Sequence, residues 1–304
     1  RGVEQGRAES FGKLLGSYIR EISRFIDLRN LDGVTVAADY PEALATLDRG
    51  VEVSQAPTPT SELGIGVAMT LAVKRGEGLK SHIVFKADLI LDLEDEGNEF
   101  WRDAFHVLAH ESAHVEVTAA FAAAFPDVLL EHRLTDLPSA IRWSAANSCW
   151  DEYAASRISA PFGADRLANY EETFVAALQE TRERVNQHIR EYRVHGDHRR
   201  ILELVGNQYG QLLKFASYLI GHLHGMKLTR ETALTASSML EGSWFEPHFN
   251  RLEDALQGLW GRFGTWASLG EFDVLGDIAQ DLIAQGGIEI RHMPDGAIFI
   301  DVPF

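Results

Sequence analysis

The sequence predicts an α+β fold in which helix predominates. Apolar residues recur at three- and four-residue steps through most of the chain, and β-rich runs are confined to residues 34–90 and 288–302. Glycine or proline marks nearly every change of pattern. With 304 residues and 45% hydrophobic content, the chain can bury a substantial core in one large domain or two.

In chain order, Phe11, Leu14, Leu15, Tyr18, Ile19, Ile22, Phe25 and Ile26 describe an amphipathic helix that packs as scaffold. Val34-Thr35-Val36-Ala37 reads as a short strand, and Glu42 to Leu47 as a helix with Pro41 in its first turn. Ile65 to Val73 and His82 to Ile90 are β-rich runs separated by the glycine-bearing turn 74–78, so the three runs make a small mixed sheet. The acidic run 92–99 lacks the alternating ligand spacing of an EF-hand. Its charge instead favours the N-terminus of the helix that follows, with Asn98 as a cap.

Phe105 to Phe125 is alanine-rich, and Val107, Leu108, Ala109, Ala113, Val115 and Ala119 cover most of its circumference, which predicts a buried helix. Inside it, residues 110–114 read His-Glu-Ser-Ala-His. Residues four apart share a helix face, so the imidazoles of His110 and His114 can converge on one Zn²⁺ at about 2.0–2.1 Å. Glu111 projects roughly 100° around the helix, where it can reach a water beside the metal without ligating it. His106 lies on the same stripe, but about 12 Å of helix axis separates it from His114, too far for a shared ion. It is expected on a pocket wall or at the surface.

A hydrolytic zinc site takes a third protein ligand and leaves one position open. After a connector punctuated by Pro126 and Pro138, Ile141, Ala145, Cys149 and Ala155 give the next helix an apolar face, and Pro161 ends it. Glu152 on this helix is the preferred ligand and Asp151 the next, with small Ala154 and Ala155 permitting close helix packing; Glu131 and His132 are further candidates.

With these residues the chain resembles zincin metallopeptidases of the glutamate-ligand kind (gluzincins), in which HExxH on one helix is completed by an acid from the next. The run Glu152-Tyr153-Ala154, followed by Ala155 and Pro161, looks like the E-x-A…P segment of ImmA/IrrE-type peptidases, which are associated with cleavage of transcriptional repressors. The resemblance spans about residues 30–161. It departs from the pattern in the long interval from His114 to Glu152 and in Ala113, where a glycine is usual. The resemblance implies zinc held by His110, His114 and Glu152, with Glu111 as general base. It also implies a peptide or protein substrate lying along an edge strand of the small sheet.

Beyond Pro161, helices at about 165–194, 199–224, 230–241, 247–263 and 271–285 are broken by Gly196, Gly225, Pro247 and Gly264. His195 and His198 at one break, Tyr192 a turn earlier, and Tyr153 and Arg157 beside Glu152 are candidates to stabilise a developing oxyanion. His222 and His224, just before Gly225, are expected to cap a helix C-terminus. Ile288 to Met293 and Ala297 to Val302 flank a Pro-Asp-Gly turn and predict a terminal β-hairpin. The expected domains are a zincin-like catalytic core at 1–161, a helical lobe at 162–285 and the hairpin at 286–304.

Composition narrows the partners. A formal charge of −17 without a basic stripe argues against nucleic acid, and the six arginines of residues 182–200 are interleaved with acids as on a solvated helix face. No apolar span is long enough for a bilayer and no signal-peptide pattern is visible, although the chain begins at Arg1 and leaves room for a removed leader. Cys149 is the only cysteine, which fits a core thiol in a reducing, cytoplasmic setting. Two other functions fit the motif: a zincin-like regulatory or binding module without turnover, and a hydrolase of non-peptide amides.

Overall fold

The computed structural model describes residues 4–52, 60–61, 64–76, 78–130, 134, 136–293 and 298–302. It is α+β and predominantly helical. Its contacts divide the chain into two units, Arg1–His132 with Ala154–Asp165, and Arg133–Tyr153 with Arg166–Phe304.

In the first unit, α1 (Gln5–Ile22) precedes β1 (Leu31–Ala37) and α2 (Tyr40–Thr46), whose N-cap Asp39 accepts the Glu42 amide as the position of Pro41 predicts. A short pair, β2 (Thr60–Ser61) and β3 (Gly64–Ile65), leads into β4 (Ala68–Arg75) and β5 (Gly78–Lys86). The three-stranded sheet has the order β1-β5-β4, with β1 parallel and β4 antiparallel to β5. The register sets Val34, Ile83 and Thr70 in one row, and Val36, Phe85 and Ala68 in another.

Pleating gives the sheet two distinct faces. The face bearing Ile83 and Phe85 packs with Leu108, Ala109 and Ala113 of α4 (Trp101–Ala124) and with Phe11 and Leu15 of α1. The other face, with Leu71 and Val84, is covered by Tyr40 and Leu44 of α2. Burying one such large apolar side chain contributes about 1.5–3 kcal/mol, so this two-sided core fixes α4 against the strands. An ion cluster ties the strands together on their polar positions: Asp32 accepts from Arg75 at 3.0 Å and lies 3.0 Å from His82 Nδ1, whose Nε2 is 2.9 Å from Thr35 Oγ1.

Two expectations for this region need correction. Ala87 to Ile90, expected as the end of a strand, is a one-turn helix, α3 (Ala87–Ile90), because the chain turns over after Lys86 to bury Ala87 and Ile90. The acidic run begins in a 3-10 turn, Leu91–Glu94, and its charges are spent on partners of their own. Glu94 binds Arg7, Asp92 accepts from Asn98, and Asn98 Oδ1 accepts the Phe100 amide rather than capping at the helix boundary.

Helix α5 (Leu137–Ser159) contributes to both units. The second unit continues through α6 (Leu167–His195), α7 (His198–Gly225), α8 (Leu234–Leu240), α9 (Glu246–Trp260) and α10 (Asp273–Gln285) to the hairpin β6 (Glu289–His292) and β7 (Ile298–Asp301). Gly196 breaks α6 from α7 at φ +68°, and Asp197 caps α7 by accepting the Arg200 amide. At the far end of α7 the expected stop at Gly225 is displaced: the helix includes Gly225, and Lys227 takes the left-handed conformation at φ +57°. Among the described residues no helix is long and apolar enough to cross a membrane.

Candidate metal centre

The apolar circumference of α4 puts its middle turns inside the protein. His110, Glu111 and His114 are 8%, 7% and 8% exposed. Their ligand atoms all lie within 4.8 Å of one another, close enough to hold a metal ion. The two imidazoles meet edge to face, with centroids 4.8 Å apart and planes at 89°, and their Nε2 atoms face each other at 3.2 Å.

That separation tests the fit to a metal. Two nitrogens each about 2.0–2.1 Å from one tetrahedral ion are about 3.3–3.4 Å apart. Two Nε2 lone pairs facing one another repel, so either a proton or a cation must lie between the rings. On its other nitrogen His110 is 3.3 Å from Ser159 Oγ of α5, which in turn donates to Ser156 O at 3.5 Å. With that geometry Ser159 is placed to accept from His110 Nδ1–H in the tautomer whose Nε2 carries a lone pair, the form that metal-ligating histidines take. The donor set therefore fits a divalent cation.

Glu111 is held by the sheet. Thr70 Oγ1 on β4, the polar end of the Val34–Ile83–Thr70 row, lies 2.8 Å from Glu111 Oε2 and 2.9 Å from Glu111 O. Tyr40 of α2 is buried, its hydroxyl without a hydrogen-bond partner among the described residues. Burial, and secondarily the Glu111 charge, push its phenol pKa well up, so it stays neutral.

His106 is neither on a pocket wall nor at the surface. It is 2% exposed, and its Nδ1 lies 3.0 Å from Phe162 O, so that a histidine one turn before the motif anchors α4 to the loop following α5. Arg102 donates to Gly163 O from the same helix face.

The remaining candidates are distributed as follows. Glu152 is buried in the second unit, where Lys214 Nζ lies 2.9 Å from its Oε1. Asp151 lies beside it and is half-buried; Arg157, on the first unit's part of α5, is half-buried as well. Tyr153 Oη lies 2.9 Å from His224 Nδ1, and His224 Nε2 is 3.2 Å from Glu253 Oε1. His224 thus turns inward instead of capping α7, and His222 is fully buried beside the Tyr170 ring. His195 and His198 are exposed and engage their own loop: His195 Nδ1 accepts the Asp197 amide, and Tyr192 Oη is 2.8 Å from His198 Nε2. Glu131 and His132 lie outside the described residues. Cys149 is a core thiol, and burial pushes its pKa up to about 12.

Thr70 and Ser159 are the two site residues that sequence reasoning missed. Thr70 sat inside a β-rich run with nothing to distinguish it, and Ser159 in the last turn of a helix read only for its acids. No family model, curated protein or solved structure matches the chain.

Proposed function

We propose that the chain is a zinc metallopeptidase acting on a peptide or protein substrate. The observation that carries the reading is the pair of Nε2 atoms 3.2 Å apart on a buried helix, with the Glu111 carboxylate between their positions in sequence and anchored to a strand. Two histidines alone would serve a structural metal as well, but structural zinc usually fills all four positions with protein ligands and needs no acid between them.

His110 and His114 would hold the ion, and the third ligand is the acid that the resemblance to glutamate-ligand zincins implies, Glu152. Zn²⁺ in this place supplies Lewis acidity, polarising a scissile carbonyl and lowering the pKa of water towards about 7. The Glu111 carboxylate accepts a proton from the attacking water and returns it to the departing amine. Ser159 keeps the His110 ring in its ligating tautomer. Strand β4 is one of the two edges of the three-stranded sheet among the described residues and runs past Glu111, which suits an extended backbone pairing along it.

Glu111→Gln tests the reading. The variant is expected to keep its zinc and lose at least about a hundredfold in turnover of dye-labelled casein, the scale of general-base removal. Unchanged turnover removes Glu111 from the chemistry. Cleavage of small acyl amides with no cleavage of casein points to an amidase, and zinc binding with no turnover of either points to a binding module.

A further inference from the structure

We infer that Thr70 is a positioning residue that assigns the two oxygens of the Glu111 carboxylate to different tasks; this rests on the reading of Glu111 as the proton acceptor. The hydroxyl of Thr70 has one hydrogen and two acceptors in reach, Glu111 Oε2 at 2.8 Å and Glu111 O at 2.9 Å. The main-chain oxygen belongs to a helix interior and has its own helical amide donor, whereas an ionised carboxylate is the stronger acceptor, so the hydrogen goes to Oε2. Among the described residues no hydrogen bond reaches Oε1, which is left as the oxygen that takes and returns the proton.

The position of Thr70 is set by the fold. Row partners Val34 and Ile83 are apolar and pack towards α4, so a third apolar residue at position 70 would complete the row. A threonine there fits the strand equally well, because its β-branch has few rotamers and suits a pleated surface. What it adds is a hydroxyl aimed at one atom of a flexible side chain. Without it, the Glu111 side chain keeps its rotational freedom, and the proton-accepting oxygen is correctly placed only part of the time.

Thr70→Val keeps the shape and removes the donor, and Thr70→Ser keeps the donor. With dye-labelled casein as the probe, Thr70→Val is expected to lower kcat roughly ten- to a hundredfold, the range for one hydrogen bond to a charged group, with KM and zinc content unchanged. Thr70→Ser is expected to restore kcat to within about threefold of the parent. In the Glu111→Gln background, adding Thr70→Val costs less than about threefold, because the group it acts through is gone. The second readout needs no turnover. In metal-free protein, a denaturation cycle of Thr70→Val, Glu111→Ala and the double variant is expected to give midpoint shifts that do not add.

Additive shifts, or a Thr70→Val enzyme with parental kcat, overturn the proposal, as does a Thr70→Ser enzyme as slow as Thr70→Val. If the parent protein cleaves no casein, the peptidase reading fails on its own account, and the denaturation cycle still decides whether Thr70 holds Glu111.

Discussion

Gly163→Ala probes how α4 is seated behind the candidate metal centre. Gly163 has φ +74°, and a Cβ built there would lie 2.4 Å from Arg102 O, 2.6 Å from His106 N and 2.9 Å from His106 Cα. All three are main-chain atoms of α4, so no rotamer change relieves the overlap. Restoring ordinary contact at about 3.5 Å requires the loop and the helix to part by roughly 1 Å. The loop would then loosen the bonds it makes to Arg102 and His106, which span 3.0–3.2 Å. Left-handed backbone for an alanine costs about 1–2 kcal/mol and overpacking about 1–3 kcal/mol, giving about 2–5 kcal/mol together. At about 2–4 °C per kcal/mol, the melting temperature should fall by about 4–20 °C. Gly76→Ala is the control in the same unit: its φ is +59°, but a Cβ there meets nothing within 4 Å, so it bears the backbone cost alone. Thermal unfolding followed by circular dichroism distinguishes the two. Equal shifts for both variants would mean that the loop does not press on α4 and that the anchoring described for His106 is wrong.

Three further outcomes follow from the same contacts. Ser159→Ala removes the partner of His110 Nδ1 and should weaken zinc binding about 10- to 100-fold in a chelator competition, the usual cost of losing such support; unchanged affinity would contradict the tautomer assigned to His110. The Arg75 guanidinium, and after it the His82 ring, hold the Asp32 carboxyl below its usual range. A depressed folded-state pKa contributes stability that is present above the unfolded value near 4 and lost as pH falls through the folded one. The stability difference between parent and Asp32→Asn should therefore be largest above about pH 4 and shrink on acidification in urea titrations, and a constant difference down to about pH 2 would refute it. Cys149 is buried with its thiol pKa pushed up to about 12, so iodoacetamide at neutral pH should label it only after unfolding; fast labelling of the folded protein would place it elsewhere.

The sequence was most readable where one period decided the geometry. A four-residue step on an apolar helix was enough to place His110 and His114 side by side, and the glycine at 196 and proline at 41 marked their turns correctly. It was least readable where tertiary packing outweighed local pattern. Ala87 to Ile90 is β-rich in composition, yet burying Ala87 and Ile90 after the chain leaves the sheet requires a helical turn. Gly225 looked like a stop, but α7 carries through it and the reversal falls on Lys227, where a left-handed residue other than glycine is unusual. Thr70 could not be read at all. Its contact with Glu111 depends on strand register across Val34 and Ile83, a relation between distant segments that no local window contains. Helix rise separated His106 from His114, whereas its bond to Phe162 O depended on a loop 56 residues later.

Zinc content is the most direct test of the central claim, that neighbouring turns of α4 grip a divalent cation. Metal analysis of the parent protein after equilibration with Zn²⁺ and removal of the excess should find about one ion per chain, and His110→Ala and His114→Ala should each lose it while retaining the parent's helical circular dichroism. Equal zinc in the parent and both folded variants would place the ion away from this helix and contradict the account.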